Sequence, residues 1–352
     1  MFVIPHIQQG DIDLQHLHAN SNILWITSAS IIACHPWLQE KRHEVVQSAD
    51  WSKVVECRTS LGKEYPERII AFGGGKVLDV AKLTARLITT DTQTLQAIQK
   101  RRCTDEHFTS TIPLTLIPST CGSGSEGSSV TVITYQGTKY PISHRTLVAD
   151  EVILSPHAIA SCPDKVFKNG LWDTFVHAIE SYSSPLADPT TQQAALCALH
   201  IVLPVLQQGR FTSPHSSWQW ASLLAGAAQS TTSVGLAHAI AHQLEPLGCG
   251  MHGELVAQML PKAMTLNAEK RDGLYDALAQ KLLFSNGRAL INEIILLAER
   301  DWGTPAPLAL DSQQIDQLVT KICKDPCYRT NPSFIPKRDL THALHNWHLI
   351  KQ

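Results

Sequence analysis

Five side chains of the kinds that bind metal ions or carry protons lie in two short stretches of the sequence. LWDTFVHAIESY places Asp173 and His177 four residues apart, and GLAHAIAHQLEPLGCGMHGE carries His238, His242 and His252. Residues separated by four positions lie on the same face of a helix. Asp173 and His177 can therefore converge on one point, and so can His238 and His242. A turn with two glycines then lets the chain return His252 to the same place.

This set of side chains is a plausible ligand set for a catalytic metal ion. One carboxylate with several imidazoles suits Fe(II), Zn(II) or another first-row divalent ion. If Asp173 and three imidazoles were all ligands, one histidine would remain for proton transfer. The string HAIAH also has the histidine spacing of the zinc helix of metallopeptidases. Ala239 stands where that helix carries its catalytic glutamate, which argues against a peptidase.

Two loops rich in glycine and hydroxyl groups predict a nucleotide site. The strand-like run Arg68–Phe72 leads directly into Gly73–Gly75, and a helix-like stretch follows. Glycines let the backbone approach a diphosphate, and the start of a helix presents free N–H groups to it. A second loop, Pro118–Glu126, follows the next strong strand candidate. A triple glycine also occurs in ordinary turns, but two such loops after parallel strands favour a nucleotide cleft.

The bulk properties narrow the class of protein. A length of 352 residues with 43% hydrophobic and 17% charged residues predicts two globular domains. The formal net charge of −2 disfavours binding to nucleic acid or to an anionic membrane. No apolar run approaches the roughly 20 residues that span a bilayer, and the N-terminal residues do not resemble a secretion signal. Nine scattered cysteines predict free thiols and a cytoplasmic location.

Strand-like and helix-like stretches alternate in the first part of the chain and give way to amphipathic stretches later. We therefore predict a nucleotide-binding α/β domain with a Rossmann-like parallel sheet over residues 1–155, and an all-α metal-binding domain over residues 156–352. The predicted strands are Ile23–Thr27, Val54–Cys57, Arg68–Phe72 and Ile112–Pro118. The clearest predicted helices are Thr191–Gln207, Trp218–Ser230 and Asp276–Phe284.

The motifs, taken in order, resemble those of the iron-containing (group III) alcohol dehydrogenase family, within the dehydroquinate synthase-like superfamily. The most specific are IIAFGGGKVLDVAK, IPSTCGSGSE, DTFVHAIESY and GLAHAIAHQLEPLGCGMHGE. The resemblance runs from the N-terminal region to at least Pro261, and the chain beyond it carries no motif. It implies the α/β and all-α architecture given above, NAD or NADP as cofactor, and Fe²⁺ or Zn²⁺ as metal.

The resemblance also implies roles for individual residues. The predicted catalytic residues are His242, which would lie beside the metal as a substrate-contacting or proton-relay residue, and Asp79, which would lie near the nicotinamide. The implied metal ligands are Asp173, His177, His238 and His252. The residues predicted to bind the cofactor are Ser28, Gly73, Gly74, Gly75, Lys76, Asp79, Ser119, Thr120, Ser123, Ser128 and Lys139.

Two departures from the family pattern concern the cofactor. Lys76 stands where the family usually has serine, and a cation beside a diphosphate could strengthen its binding. NAD-preferring members often carry an acidic residue after the first strand, to hold the ribose hydroxyls. The corresponding stretch here, Thr27–Ser30, has no carboxylate. It would not repel a 2′-phosphate, so NADP is allowed as well as NAD.

We expect a metal-dependent, NAD(P)-linked oxidoreductase that interconverts a small primary alcohol and its aldehyde, in a cleft between the two domains. A reductase of a phosphonate- or phosphate-bearing aldehyde is one alternative. A lyase of the dehydroquinate synthase type is another, but such enzymes usually have glutamate where this chain has Asp173. A metal-dependent hydrolase or a silent binding protein would leave the glycine loops or the ligand set unexplained. The segment Phe2–Gln9 could pair with the sheet edge of a second copy and form a homodimer.

Overall fold

The computed structural model describes residues 3–17, 22–62, 65–108, 112–209, 211, 216–305, 307–347 and 349. The chain forms two compact units. The first consists of Val3–Phe167 and Thr212–Ser230, and the second of Lys168–Phe211 and Thr231–Gln352. Each unit therefore combines two separate stretches of sequence.

The first unit is built on a parallel sheet. Its strands, with those of a separate hairpin, are β1 (His6–Gln9), β2 (Ile23–Thr27), β3 (His43–Val45), β4 (Arg68–Gly73), β5 (Leu114–Pro118), β6 (Val130–Tyr135), β7 (Thr138–Ser143) and β8 (Glu151–Leu154). Six strands form the sheet in the order β1-β8-β5-β4-β2-β3, and every pairing in it is parallel. The remaining two, β6 and β7, pair antiparallel.

Helices make up the rest of the regular structure. They are α1 (Ala29–Cys34), α2 (Trp51–Ser60), α3 (Gly75–Arg86), α4 (Thr92–Gln99), α5 (Pro156–Ile159), α6 (Asp164–Ser183), α7 (Pro189–Gln208), α8 (Ser216–Thr232), α9 (Leu236–Leu244), α10 (His252–Lys270), α11 (Asp276–Lys281), α12 (Gly287–Trp302), α13 (Ser312–Lys324) and α14 (Lys337–Asn346). Among the described residues, none of these helices combines the length and the apolar character that crossing a membrane requires.

The central strands are mostly apolar, as expected for a sheet that is covered on both faces. In β4, Ile69 and Ala71 belong to one hydrophobic core, and Ile70 and Phe72 belong to another. Successive side chains of a strand point to opposite faces, so a strand buried on both sides reads as a continuous apolar run. The parallel α/β sheet predicted from the sequence is confirmed. The strands β1, β3, β6, β7 and β8 were not predicted.

One predicted strand is wrong. The segment Val54–Cys57 lies inside α2, a helix that begins at Trp51. Trp51, Val54 and Cys57 are buried at a spacing of three residues, which places them on one face of a helix. The adjacent valines Val54 and Val55 are typical of a strand, but the three-residue spacing of the buried side chains is that of a helix.

Helix α8 belongs to the first unit, although it lies within residues 156–352, which were predicted to be one helical domain. Its Gly226 packs on the backbone of Gly124, which has a φ of +61°. A Cβ atom on Gly226 would lie 2.0 Å from the carbonyl oxygen of Gly124. Two glycines thus allow the helix to approach the second loop. The division of the chain into domains at 155/156 stays a prediction.

In the described part of the second unit, the regular elements are helices. Helix α9 is buried on nearly every side, including Leu236, Ala239 and Ile240. A helix that is apolar all round packs in a core rather than on the surface. Side chains carried by α9 are therefore held by the surrounding helices rather than by contacts with solvent.

Candidate functional site

Three helices of the second unit bring four of the predicted residues together. Asp173 and His177 lie on α6, His238 lies near the start of α9, and His252 is the first residue of α10. The Nε2 atoms of His177, His238 and His252 lie 3.6, 3.5 and 3.6 Å from Oδ1 of Asp173. Three ring nitrogens thus surround one carboxylate oxygen.

These distances fit a shared metal ion better than they fit hydrogen bonds. Ligand atoms bound at about 2.1 Å in a tetrahedral arrangement lie about 3.4 Å apart. Oδ1 of Asp173 and Nε2 of His238 are also buried without a hydrogen-bond partner among the described residues. An unsatisfied buried polar atom costs about 1–3 kcal/mol, and a cation between these atoms would remove that cost. The residues present therefore fit a divalent metal ion.

The four residues are not equivalent in position. Ligand atoms of Asp173, His177 and His238 all lie within 4.8 Å of one another, and His252 falls outside this group. The side chain of His252 is 28% exposed, whereas that of His238 is 2% exposed. Three predicted ligands form a buried group, and the fourth approaches Asp173 from a more open side.

The charges around the cluster favour a cation. Burial alone would raise the pKa of Asp173, but the imidazoles of His177 and His252 hold it below its ordinary range. Burial lowers the pKa of His177 to about 4. Burial also acts to lower the pKa of His238, but Asp173 and Glu180 overcome this and raise it to about 9. Two buried carboxylates thus stabilise positive charge on the imidazole between them.

Glu180 is a member of this centre that the sequence analysis missed. It lies on α6 and accepts a hydrogen bond from Nδ1 of His238 at 2.7 Å. It also accepts hydrogen bonds from the backbone N–H groups of Gly235 and Ala237, both at 2.8 Å. Its spacing was a usable signal, because residues three and seven positions after His177 and Asp173 share their helix face.

His242 lies next to the cluster and has a different partner. Its ring stacks on that of His252 with centroids 5.7 Å apart, and its Nδ1 lies 3.1 Å from Oδ2 of Asp325. Asp325 was also missed, since no motif marks the segment that contains it. Cys327 lies close enough to His242 and Asp325 to complete a second three-residue group. Burial raises the pKa of the Cys327 thiol well above its usual range, which makes it a poor metal ligand.

The first glycine loop meets the second loop at the carboxyl end of the sheet. The backbone N–H of Ser119 donates to the carbonyl oxygen of Gly73 at 3.0 Å. A Cβ atom on Gly74 would lie 3.2 Å from Oγ1 of Thr120, and one on Gly75 would lie 2.6 Å from Oγ of Ser123. These contacts bring together the predicted cofactor residues Gly73, Gly74, Gly75, Ser119, Thr120 and Ser123. A side chain in place of either Gly74 or Gly75 would enter the space between the loops.

The start of α3 has the properties of an anion site. Its N-cap is Gly74, which supplies no side-chain cap, and the exposed Lys76 lies in its first turn. The first N–H groups of a helix need partners, and phosphate oxygens supply them where no side chain does. The residues of this loop therefore fit a diphosphate.

Asp79 and Ser128 take part in contacts inside the first unit. The carboxylate of Asp79 accepts hydrogen bonds from Oγ of Ser125 at 2.6 Å and from the backbone N–H of Val132 at 3.0 Å. Oγ of Ser128 accepts from the backbone N–H of Val130, and the fully buried Lys82 donates to the carbonyl oxygen of Ser128. These bonds attach α3 to β6. Cofactor contact by Asp79 and Ser128 stays a prediction.

The two remaining predicted cofactor residues lie on different elements. Ser28 follows β2 and caps α1, where its hydroxyl accepts from the backbone N–H of Ile31 at 3.4 Å. Because β2 and β4 are parallel neighbours in the sheet, Ser28 and Gly73 both lie at the carboxyl end of the sheet. Lys139 is exposed on β7 and pairs with Thr134 of β6, outside the parallel sheet.

Comparison with known protein families gives two matches that together span most of the chain. The profile described as iron-containing alcohol dehydrogenase matches residues 37–156. The profile of the C-terminal part of the Fe-containing alcohol dehydrogenase family matches residues 169–347. All four residues of the metal cluster lie in the second match, and the glycine loop lies in the first.

Individual relatives agree with the family matches. The chain is 37% identical over 207 residues to the probable alcohol dehydrogenase EutG of Salmonella typhimurium, a match that covers 56% of this chain and 51% of that protein. The match therefore spans only about half the length of that relative. The chain is 33% identical over 276 residues to the probable alcohol dehydrogenase EutG of Escherichia coli, covering 75% of this chain and 68% of that one.

Solved structures share the fold over the whole chain. An iron-containing alcohol dehydrogenase from Thermococcus thioreducens superposes with a TM-score of 0.83 at 24% identity, covering 99% of both chains. A sulfoacetaldehyde reductase from Bifidobacterium kashiwanohense, solved in complex with NAD⁺, gives a TM-score of 0.84 at 22% identity, covering 99% of this chain and 98% of that one.

Proposed function

Because the chain belongs to the iron-containing alcohol dehydrogenase family, we propose that it interconverts a small primary alcohol and its aldehyde with a nicotinamide cofactor and a bound divalent metal. The family, the fold class and the oxidoreductase class predicted from the sequence are confirmed. The observation that supports the reaction most directly is the arrangement of three imidazole nitrogens around Oδ1 of Asp173.

The second unit would hold the metal and orient the substrate oxygen. Asp173, His177, His238 and His252 are the proposed ligands. A bound Fe²⁺ or Zn²⁺ would act there as a Lewis acid that lowers the pKa of the alcohol and polarises the carbonyl of the aldehyde. The burial of Asp173 and His238 excludes water from their side of the site, which strengthens electrostatic interactions there.

His242 is the proposed proton relay. Asp325 accepts the Nδ1 proton of His242, so Nε2 of the neutral ring carries a lone pair and can take up a proton. The stack with His252 places this ring next to a proposed ligand. In the oxidative direction His242 would receive the alcohol proton and pass it to solvent, and in the reductive direction it would return it.

The first unit would bind NAD or NADP. The glycines of the loop allow close approach of a diphosphate, and the uncapped start of α3 supplies N–H groups for it. The nicotinamide supplies or accepts the hydride, and the loop's task is to orient it. Because the stretch Thr27–Ser30 carries no carboxylate and Ser28 is engaged as a helix cap, we propose that NADP is accepted and favoured.

The substrate is proposed by class. Relatives of this chain carry names as different as 1-propanol dehydrogenase, from Salmonella typhimurium, and 4-hydroxybutyrate dehydrogenase, from Clostridium kluyveri. Short primary alcohols and the corresponding aldehydes are the substrates common to such activities. An aldehyde bearing a phosphonate or phosphate is kept as a second candidate to be included in the assay.

The setting of the enzyme is also proposed. All nine cysteines are free, which favours a reducing compartment, and we propose the cytoplasm. Within the chain, β1 pairs with β8 and ends the sheet on that side. A homodimer that continues the sheet beyond β1 remains our proposal, and light scattering of the purified protein would test it.

The deciding experiment follows NADH and NADPH oxidation with a panel of short aldehydes. The protein is first stripped of metal and then reloaded anaerobically with Fe²⁺ or Zn²⁺. We expect turnover only in the loaded protein, no turnover in Asp173→Ala or His252→Ala, and full turnover in His200→Ala, which alters an exposed histidine on α7. Failure of native protein to bind either nucleotide would overturn the proposal.

A further inference from the structure

We propose that Glu180 is a positioning residue that directs Nε2 of His238 towards the metal, an inference that rests on the proposed function because it assumes a metal at Asp173. Glu180 is not among the proposed ligands. Its carboxylate lies on the far side of the His238 ring from Asp173, because it binds Nδ1 while Asp173 faces Nε2.

Glu180 makes contacts that fix both the ring and the helix that carries it. Its Oε2 accepts from Nδ1 of His238 at 2.7 Å and from the backbone N–H of Gly235 at 2.8 Å. Its Oε1 accepts from the backbone N–H of Ala237 at 2.8 Å. One buried side chain of α6 therefore replaces the missing side-chain cap of α9 and also binds an imidazole in its first turn.

The contact also decides which nitrogen of His238 can bind a cation. A carboxylate has no proton to donate, so Nδ1 of His238 must carry the hydrogen. In the neutral ring Nε2 is then left with the lone pair that a metal requires. Gly235 makes this approach possible, because a Cβ atom there would lie 2.9 Å from Oε1 of Glu180.

A glutamine at position 180 would break this arrangement although its shape is nearly the same. Each carboxylate oxygen accepts at least one backbone N–H group. Whichever way the amide of Glu180→Gln is turned, its NH₂ group faces an N–H donor. If the NH₂ group faces Nδ1 of His238, it also favours the tautomer with hydrogen on Nε2, which blocks the metal position.

The test compares metal affinity in two variants that both remove a cap of α9. Glu180→Gln replaces the carboxylate that accepts from Nδ1 of His238 by a neutral amide, whichever way that amide is turned. Asn331→Ala is the matched control, because Oδ1 of Asn331 accepts from the backbone N–H of Leu236 at 3.3 Å and is not among the hydrogen-bond partners of His238. The dissociation constant for Zn²⁺ is measured by competition with a chromogenic chelator, and the visible absorption spectrum is recorded with Co²⁺ as the bound ion.

For Glu180→Gln we expect about 10–100-fold weaker Zn²⁺ binding and an altered Co²⁺ spectrum. For Asn331→Ala we expect a lower melting temperature, a change in affinity below about threefold and an unchanged Co²⁺ spectrum. Equal losses of affinity in the two variants would reduce Glu180 to a helix cap and overturn the inference. Native affinity in Glu180→Gln would overturn it as well.

A measurement on the native protein covers the case in which Glu180→Gln does not fold. In Zn²⁺-loaded protein labelled with ¹⁵N-histidine, the Nδ1 proton of His238 should be present, hydrogen-bonded and slow to exchange. A bare Nδ1 would overturn the inference while leaving the dehydrogenase proposal intact. If native protein bound no metal at all, the proposed function would fail first, so the two failures are distinguishable.

Discussion

The glycine loop of the first unit and the metal cluster of the second are built in opposite ways. Two loops, each continuous in sequence, form the first site, and much of what it offers is backbone: the glycines Gly73–Gly75 and the N–H groups at the start of α3. The second site consists of side chains on α6, α9 and α10, and their partners come from Glu180 and from Asp325 near the end of the chain. The glycine loop depends on the absence of side chains at its glycines, whereas the metal cluster depends on side chains that are held by hydrogen bonds.

The difference predicts how each site fails. In the loop, adding atoms should do the damage, because the backbone approaches other groups closely there. In the cluster, removing atoms should do the damage, because each buried group loses a partner that nothing replaces. The following predictions test this contrast, beginning with the largest effect.

Asp173→Ala should lower metal affinity by more than about 1,000-fold. Removing a hydrogen-bond partner of a metal ligand already lowers affinity by about 10–100-fold, and loss of a ligand should cost more. Asp173 faces the Nε2 atoms of three histidines, so its loss affects the whole cluster. Metal content and Zn²⁺ titration measure the effect. The affinity for NADPH should stay within about twofold, because the glycine loop belongs to the other unit. A parallel loss of NADPH binding would contradict the expectation that the two sites bind independently.

Gly226→Ala should lower the free energy of unfolding of the first unit by about 3 kcal/mol through overpacking. In a helix without such a contact, replacing glycine by alanine stabilises the protein by about 0.5–1 kcal/mol. A decrease in the free energy of unfolding would therefore indicate the close contact. The added Cβ would meet the carbonyl group of Gly124. Urea unfolding followed by tryptophan fluorescence measures the change.

The control for that variant is Gly137→Ala in the hairpin turn. Gly137 has a φ of +75° and open space around its Cα, so alanine there introduces backbone strain without a clash. We expect a loss of about 1 kcal/mol from this strain. If Gly226→Ala cost no more than Gly137→Ala, the close contact of α8 with the loop would be refuted.

Gly75→Ala should weaken NADPH binding about tenfold, or by 1.4 kcal/mol, by forcing the two loops apart. Its Cβ would lie 2.6 Å from Oγ of Ser123. Isothermal titration with NADPH measures the loss, and Zn²⁺ affinity should not change. In protein that already carries Ser123→Gly, the change Gly75→Ala should weaken NADPH binding less than it does in the native protein. Simple additivity of the two changes would show that the predicted clash is absent.

Ser28→Asp should shift the preference from NADPH towards NADH by about fivefold, since a carboxylate about 4 Å from a phosphate in water costs about 1 kcal/mol per charge pair. Aspartate is also a good N-cap, so α1 should remain intact. The ratio of kcat/KM for the two cofactors measures the shift. Ser28→Asn keeps the shape without the charge and should leave the ratio unchanged. Equal effects of both variants would place Ser28 away from the ribose.

Sequence reasoning succeeded best where the spacing was local. The four-residue spacing of Asp173 and His177 led directly to their shared face on α6. The pair His238 and His242 was expected to converge in the same way. Their rings do lie close together, with centroids 6.0 Å apart, but His238 faces Asp173 and His242 contacts Asp325. The two histidines share a face of α9, but their partners come from different parts of the chain. Spacing within one helix does not reveal those partners.

The errors and omissions have similar causes. The strand prediction for Val54–Cys57 is wrong because four residues are too few to distinguish a buried strand from one face of a helix. Composition does not show which unit a helix packs against, so the position of α8 in the first unit was not visible from the sequence. Glu180 could have been found from its position on the face of His177, whereas Asp325 had no signal in the sequence.

The sequence by itself determined the chemistry that is available: glycines after a buried strand, one carboxylate with histidines at helical spacing, and motifs in the order of one family. These features are local, and helix and strand periodicity translates them directly into shared faces. Only the tertiary structure decided that His238 and His252 join His177 around one oxygen of Asp173 and that Glu180 orients His238. Those contacts join residues far apart in the chain, and they depend on how buried helices pack rather than on any local preference.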